Sequence, residues 1–324
     1  MRSNEDSQTD PLLDVIIVGA GPAGLSAAMV LGRCCRRVLV CDSGHPRNAA
    51  SRALHGYLTR DGVKPSELLR IGREQLQPYS TVEIREGQVT AAKTIDGGFE
   101  VTVDNNERVS SRKLLLATGV VDELPNVAGL MPLYGHSVFH CPYCDGWELR
   151  DQPIAIYGQA AHGSGLALEL TGWSRDLVLC TDGPAQLSTE DRERLESLGI
   201  PIREERISRL EGSDGQLERV VFENGETLAR RGMFFNTGQE QHCDLAEALG
   251  CEFTERGAVR TGEYEKTNVP GLFVAGDASR AVQMVIVAAA EGAEAAFAIN
   301  KQLIKEDLAE REKGERGKSG KGQK

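Results

Sequence analysis

The segment DVIIVGAGPAGLSAAMVLGRCCRRVLVCDSG, residues 14–44, limits what this chain can fold into more tightly than any other stretch. The apolar run Val15 to Val18 reads as a strand buried in a parallel sheet. Gly19, Gly21 and Gly24 follow in G-x-G-x-x-G spacing, with Pro22 and Ala23 between them. Small and apolar residues then predict a helix, and Val38 to Cys41 a second strand that ends at Asp42. This is a βαβ unit with an acid about 20 positions after the glycines. Gly19 permits the tight turn, Gly21 lets a pyrophosphate approach the backbone, and Gly24 lets the helix pack closely. The amides at that helix's N-terminus face the anion. Asp42 is placed to accept from a ribose hydroxyl. Strand, turn, helix and acid together point to a bound dinucleotide.

Further along, 45-HPRNAASRALHGYLTRDG-62 precedes a predicted helix over Pro65 to Leu76. The next segment alternates like antiparallel strands joined by Gly, Asp and Asn turns, and ends in a buried strand, Lys113 to Ala117, tipped by Thr118 and Gly119. The stretch PIAIYGQAAHGSGLALELTGWSRDLVLCTDG, from Pro153, repeats strand, glycine turn, helix and strand. An internal duplication of this kind predicts a second nucleotide-type domain. A further antiparallel patch follows, and GLFVAGDASRAVQMVIVAAAEGAEAAFAINKQLI returns to strand and helix.

The formal charge of −11, from 37 Lys and Arg against 48 Asp and Glu, argues against nucleic acid or an anionic membrane as partner. No apolar run is long enough to span a bilayer. The start, MRSNEDSQTD, is polar and acidic, unlike a secretory signal. A cytoplasmic location is the default expectation.

Eight cysteines in 324 residues do not suggest a disulfide scaffold. Cys34, Cys35, Cys41, Cys180, Cys243 and Cys251 are scattered and read as buried or incidental thiols. Only HCPYCDGWEL, residues 140–149, contains a motif, with Cys141 and Cys144 two residues apart. It fits a metal clip, a structural pair or a redox-active dithiol. A zinc site needs four ligands, usually with the second pair well separated. His136 and His140 are close by in sequence, and Cys243 and Cys251 lack a C-x-x-C spacing of their own. No metal is expected.

At this point the chain resembles the low-molecular-weight thioredoxin reductase family of FAD-dependent pyridine-nucleotide disulfide oxidoreductases. GAGPAG (19–24), LLLATG (114–119), CPYCDG (141–146), a degenerate glycine turn from Gly158, and TNVPGLFVAGDA (267–278) running into AAAEG (288–292) occur in that family's order. The resemblance covers roughly Asp14 to Leu303. It implies an α/β fold of two Rossmann-like three-layer nucleotide-binding domains, of which the FAD domain is discontinuous. The implied boundaries are 12–122 with 252–310 for FAD and 123–251 for an NAD(P)-binding-like domain carrying the C-x-x-C. Residues 1–11 and 311–324 are expected to be disordered tails.

The same resemblance implies the site. Gly19, Gly21, Pro22, Ala23 and Gly24 would hold the FAD pyrophosphate, and Asp42 with Ser43 the adenosine ribose. Thr118 and Gly119 would lie beside the cofactor, and Gly276 and Asp277 would meet its ribityl–pyrophosphate region. Gln283, Met284 and Val285 would present a helix N-terminus to the flavin, where its dipole stabilises anionic reduced flavin. Arg47, Asn48 and His55 fall where relatives line the flavin. The two cysteines become a redox-active dithiol, with Cys144 nearer the flavin and Cys141 as the outer thiol that attacks the substrate. A helix start lowers thiol pKa. Asp145 would move the proton, and would also suit a helix cap. His140 is a possible base, and a plain scaffold role fits it equally. A homodimer is implied by resemblance alone.

One departure bears on the electron donor. NADPH-using relatives carry G-x-G-x-x-A at the second turn and a basic cluster after the next strand. This chain has Gly158-Gln159-Ala160-Ala161-His162-Gly163, and Thr181-Asp182-Gly183 follows the strand Leu177 to Cys180. A Cβ at position 160 obstructs a pyrophosphate, and Asp182 repels a 2′-phosphate while suiting, at best, an NADH ribose. Three readings follow. One is a reductase serving thioredoxin or another disulfide, its donor NADPH, NADH or a protein such as ferredoxin. The second is a dithiol oxidase passing electrons from a small-molecule dithiol to O₂. The third is a non-enzymatic flavoprotein redox sensor.

Overall fold

The apolar run after Asp14 forms β1 (Leu13–Val18), and the small residues beyond the glycine turn form α1 (Pro22–Arg33). Then come β2 (Val38–Asp42), α2 (Pro65–Leu76), β3 (Val82–Glu86), β4 (Val89–Ile95), β5 (Gly98–Val103) and β6 (Glu107–Leu116). After β7 (Val120–Asp122) the chain makes β8 (Val138–Phe139), α3 (Pro142–Asp145), β9 (Ile154–Tyr157), α4 (Ala160–Leu170), β10 (Leu177–Cys180) and α5 (Thr189–Ser197). Next are β11 (Ile202–Arg203), β12 (Ile207–Ser213), β13 (Gln216–Phe222), β14 (Thr227–Ala229), β15 (Gly232–Phe235) and β16 (Gln239–Gln241). The last elements are α6 (Leu245–Ala248), β17 (Leu272–Val274) and α7 (Val285–Ser319). This computed structural model describes residues 12–104 and 106–319.

The chain divides into two compact units. The first comprises Met1–Pro46, Leu69–Val120 and Gln241–Lys324; the second comprises Arg47–Leu68 and Val121–Glu240. Two segments fall differently from the sequence boundaries. Residues 47–68 belong with the second unit. Residues 241–251 belong with the first, because Leu245, Ala246, Leu249 and Cys251 pack in one core with Val18, Leu116 and Val274.

In the first unit a seven-stranded sheet runs β3-β2-β1-β6-β5-β4, with β17 also on β6. β1 is parallel to β2 and β6, and β17 is parallel to β6, whereas β4, β5 and β6 are antiparallel. The side chains of β1 alternate between two cores, as the pleat requires. Val15 and Ile17 pack with Leu31 of α1 and Ala295 and Ile299 of α7; Ile16 and Val18 pack with Phe99 and Leu249. Each such fully buried aliphatic side chain contributes about 1.5–3 kcal/mol. α1 and α7 approach closely through Ala23, Ala27, Ala28, Ala288, Ala295 and Ala296. Gly292 completes this seam, since a Cβ there would strike the Ala23 backbone.

The second unit holds a five-stranded parallel sheet, β11-β10-β9-β15-β8, and an antiparallel sheet, β12-β13-β14. Ile154, Ile156, Leu177 and Leu179 share a core with Leu166 and Leu170 of α4. Ala155, Val178 and Cys180 share another with Val220 and Phe222 of β13. Both βαβ units read from the sequence, β1-α1-β2 and β9-α4-β10, are therefore present, one in each unit.

α7 runs through Ser319, so the expected disordered tail is helical over 311–319. Glu310, Arg311, Glu312 and Lys313 are strong helix formers that continue the helix past its packed part. The expectation for 1–11 and 320–324 lies outside the described residues. No described helix is long and apolar enough to cross a membrane.

Candidate active site

Cys141 and Cys144 form a disulfide across the single turn of α3, with Cα atoms 5.3 Å apart. The turn starts because Pro142 at the first helical position fixes φ and needs no amide partner. The Cys141 carbonyl accepts from the Cys144 and Asp145 amides, both at 3.2 Å. The helix expected behind the dithiol is thus one turn long, and its dipole is correspondingly small. Both tryptophans of the chain lie nearby: Trp173 packs beneath Gly146, and Trp147 is 64% exposed with the Arg150 guanidinium 4.2 Å above its ring.

Asp145 is partly buried. Burial pushes its carboxyl up to about 7, the Glu148 charge adds to this, and His55 opposes it. His55 itself sits between two acids, its Nδ1 3.6 Å from Asp61 and its Nε2 3.6 Å from Glu148. A carboxyl next to Cys144 therefore keeps its proton up to near neutrality. The unfolded chain releases this proton near 3.8 and the folded chain keeps it to about 7. Stability consequently falls as pH rises between those values and is flat above them. Asp145→Asn is expected to raise unfolding free energy by about 1–3 kcal/mol at pH 8.5 and by nothing at pH 3.5. Urea unfolding of the two proteins at both pH values checks it; an equal change at both would refute it.

On the other side of the dithiol, His140 ends the run begun by β8. The Tyr134 hydroxyl lies 3.3 Å from its Nδ1 and donates to Asp122 Oδ2, also at 3.3 Å. Arg47 forks onto the Asp122 carboxylate, with Nε to Oδ2 at 2.9 Å, and reaches Gln239 at 3.3 Å. The Asn48 carbonyl caps the next turn by accepting from the Ser51 amide. Arg47, Asn48 and His55, expected near the flavin, thus belong to the unit that carries the dithiol.

The remaining sequence candidates gather in the first unit. Gly19 adopts φ +103°, and a Cβ there would run into the Ala117 carbonyl. Gly21 caps α1 without a side-chain hydrogen bond, and nothing lies within 4 Å of where its Cβ would be. Pro22 opens α1, Ala23 is buried, and Gly24 packs against the Gly19 backbone. The open space beside Gly21, backed by a helix N-terminus, fits a pyrophosphate. Asp42 accepts from the Ala20 amide at 3.2 Å and pairs with Arg73, and partly buried Ser43 follows it. A carboxylate has further lone pairs for a ribose hydroxyl. Thr118 hydrogen-bonds Cys243, and the Gly119 carbonyl accepts from the His242 amide at 3.3 Å.

Gly276, at φ +83°, approaches Ala23, so the GDA loop meets the glycine turn. Its amide donates to Glu291 at 2.8 Å. Arg280 donates to Glu291 and, through Nη2, to both carboxylate oxygens of the fully buried Glu265, at 2.6 and 2.8 Å. Gln283 donates to the carbonyls of Asp277 and Arg280 at 3.3 Å, while Met284 and Val285 start α7. The Glu265–Arg280–Glu291 set escaped sequence reading, because its members are far apart and carry no motif.

The second glycine turn is built differently. Ala160 takes φ +49°, a left-handed conformation that costs about 1–2 kcal/mol for a residue with a Cβ. Its amide donates to the Ala185 carbonyl at 2.9 Å, and the Gln159 side chain donates to the Thr181 carbonyl at 2.7 Å. Ala185 is buried. Asp182 accepts from the Ile207 amide at 2.7 Å and lies 3.4 Å from the Tyr157 hydroxyl. The segment after β10 therefore folds onto this turn. Arg206, from the loop before β12, lies against Gly183 and supplies a cation that local sequence after β10 does not show. Cys41 and Cys180 are buried thiols pushed up to about 11 and about 12 by desolvation, and are inert; Cys35 is exposed.

A family model described as pyridine nucleotide-disulphide oxidoreductase matches residues 13–292. A probable thioredoxin reductase of Arthroderma benhamiae is 33% identical over 82% of this chain and 74% of its own length. The crystal structure of HlmI superposes with a TM-score of 0.90 at 36% identity, covering 95% of this chain and 98% of that one. That of a putative thioredoxin reductase TrxB from Bacillus anthracis gives 0.86 at 34% identity, covering 91% and 99%.

Proposed function

Since the chain belongs to the pyridine nucleotide-disulphide oxidoreductase family, and is an oxidoreductase of the thioredoxin reductase-like type, we propose that it relays electrons between FAD and the Cys141–Cys144 pair and on to thioredoxin or another disulfide. The observation that carries this reading is the C-x-x-C disulfide followed directly by a partly buried acid. Cys144 is the sulfur that faces the flavin, Cys141 the one that meets the substrate, and Asp145 the group that gives and takes the proton. His140 is the base on the substrate side.

FAD, when bound, supplies reversible two-electron chemistry at its flavin ring. Gly19, Gly21, Pro22, Ala23 and Gly24 would hold its pyrophosphate, Asp42 and Ser43 its ribose, and Gly276 and Asp277 its linker. Thr118, Gly119 and the α7 start at Gln283 to Val285 would lie beside it, and the resemblance adds Arg47, Asn48 and His55 as flavin-lining residues. Two dinucleotide-type elements on one ligand favour FAD over FMN. The resemblance adds a homodimer, and the exposed, touching rings of Tyr264 and Phe297 suit such an interface. Native mass spectrometry of the yellow protein is expected to give a dimer with one FAD per chain. FMN, or no flavin, would sink the cofactor reading, and a monomer the dimer. A reducing compartment such as the cytoplasm suits the thiols of Cys34, Cys35, Cys41, Cys180, Cys243 and Cys251.

A second reading is favoured by the closure of the Ala160 amide onto Ala185. If the nicotinamide turn is occupied by the chain itself, electrons enter elsewhere. They then come from a small-molecule dithiol, with O₂ as acceptor, or from a protein donor such as ferredoxin. Family membership disfavours the non-enzymatic redox sensor.

A further inference from the structure

Asp122 is 7% exposed, and a buried carboxylate is costly unless its partners repay the lost hydration. Burial pushes it up, yet the Arg47 hydrogen bond and the His140 charge hold it below the usual carboxylate range. Tyr134 is pushed upward by burial and by Asp122, so it stays a phenol. The Tyr134 hydroxyl bridges Asp122 and His140 Nδ1, 3.3 Å from each, and the carboxylate lies 3.7 Å from the same nitrogen. The His140 ring also packs on Phe235, centroids 6.2 Å apart, and is 33% exposed. Pairing of Phe139 in β8 with Phe234 in β15 fixes the backbone just before it. Asp122 from β7, Tyr134 and Phe235 thus surround the ring, with Arg47 behind the carboxylate. Such a carboxylate and phenol on Nδ1 set a histidine's tautomer and orientation, so Nε2 exchanges protons.

We propose that Asp122 and Tyr134 are positioning residues that hold His140 as the base for sulfur exchange at Cys141, an assignment that rests on the dithiol reading above. A substrate thiol gives its proton to His140, and its sulfur attacks Cys141. The Cys141–Cys144 bond breaks, a mixed disulfide to Cys141 forms, and Cys144 leaves with the proton of Asp145. The substrate's second thiol, losing its proton to water, then attacks the mixed disulfide. Cys141 leaves with the proton held by His140, and solvent restores Asp145. The substrate dithiol is oxidised, the cysteine pair gains two electrons and two protons, and the reverse sequence reduces a disulfide.

The test mixes oxidised holoenzyme with dithiothreitol without oxygen, quenches, alkylates, and counts labelled Cys141 and Cys144 by mass spectrometry against pH. Wild type is expected to exchange with a plateau reached below the pH at which dithiothreitol itself ionises. His140→Asn should be slowed about 10²-fold at pH 7 and Tyr134→Phe about tenfold, both rising with dithiothreitol ionisation instead. Asp122→Asn should follow His140→Asn, but it leaves Arg47 uncompensated, so Tyr134→Phe is the deciding variant. A Tyr134→Phe curve that overlies wild type, or lies parallel below it at every pH, overturns the assignment. Flavin absorbance is read in the same samples. Exchange without flavin bleaching would sink the relay and leave the His140 assignment standing.

Discussion

Cys144→Ser is expected to lower turnover roughly 10³-fold or more while the protein keeps its FAD. A serine hydroxyl cannot close a disulfide with Cys141, so no disulfide remains on the protein to exchange electrons with the flavin, whereas the glycine turn proposed to hold the cofactor lies in the other unit. Cys141→Ser stops turnover to a similar degree by a different route. It removes the outer sulfur and leaves Cys144 able to make a long-wavelength charge-transfer band with the flavin. Absorbance spectra of the two variants separate the roles. Identical spectra would contradict the order in which the two sulfurs are assigned.

The second large effect concerns the donor. NADPH is expected to reduce the flavin with an apparent affinity about a hundredfold or more weaker than in relatives that use it. The Ala160 amide, which faces the pyrophosphate in an open turn, is satisfied by the Ala185 carbonyl, and Gln159 is tied to Thr181. Asp182 is held by the Ile207 amide where a basic residue is wanted. Each lost charge-assisted phosphate contact costs roughly 1.5–3 kcal/mol, and two such losses give a factor on the order of a hundred or more. Arg192 pairs with Glu204 at 2.8 Å, so the cation best placed to oppose this is Arg206 beside Gly183. Anaerobic stopped-flow with NADPH, NADH and a dithiol in turn decides the matter. Fast bleaching by micromolar NADPH would overturn it and point to Arg206.

What the sequence made legible was local. The apolar run, the three glycines and Asp42 announced β1, α1 and β2, and C-x-x-C marked the two cysteines that the structure joins, because each is a short pattern with a backbone reason. The partners of those patterns were not legible. Arg47 pairs with Asp122, which β7 brings from far along the chain. Residues 241–251 read as part of the inserted domain, but the burial of Leu245 and Leu249 assigns them elsewhere. Ala160 was visible as an obstruction, whereas the carbonyl of Ala185 was not, since a backbone acceptor has no signature in residue type. Long-range pairings of polar groups are set by topology, which local spacing does not encode.

The seam between α1 and α7 has a consequence for synthesis on the ribosome. Val15, Ala27 and Leu31 emerge well before Ala295, Ile299 and Leu303, which complete the core they enter. At about 5–20 residues per second, that early βαβ segment waits on the order of tens of seconds for its other half. Every residue of the dithiol-bearing unit is made within this interval. The nascent chain can therefore assemble its inserted unit before its amino-terminal one, and a truncation that removes α7 exposes the small-residue face of α1 to chaperones and proteases.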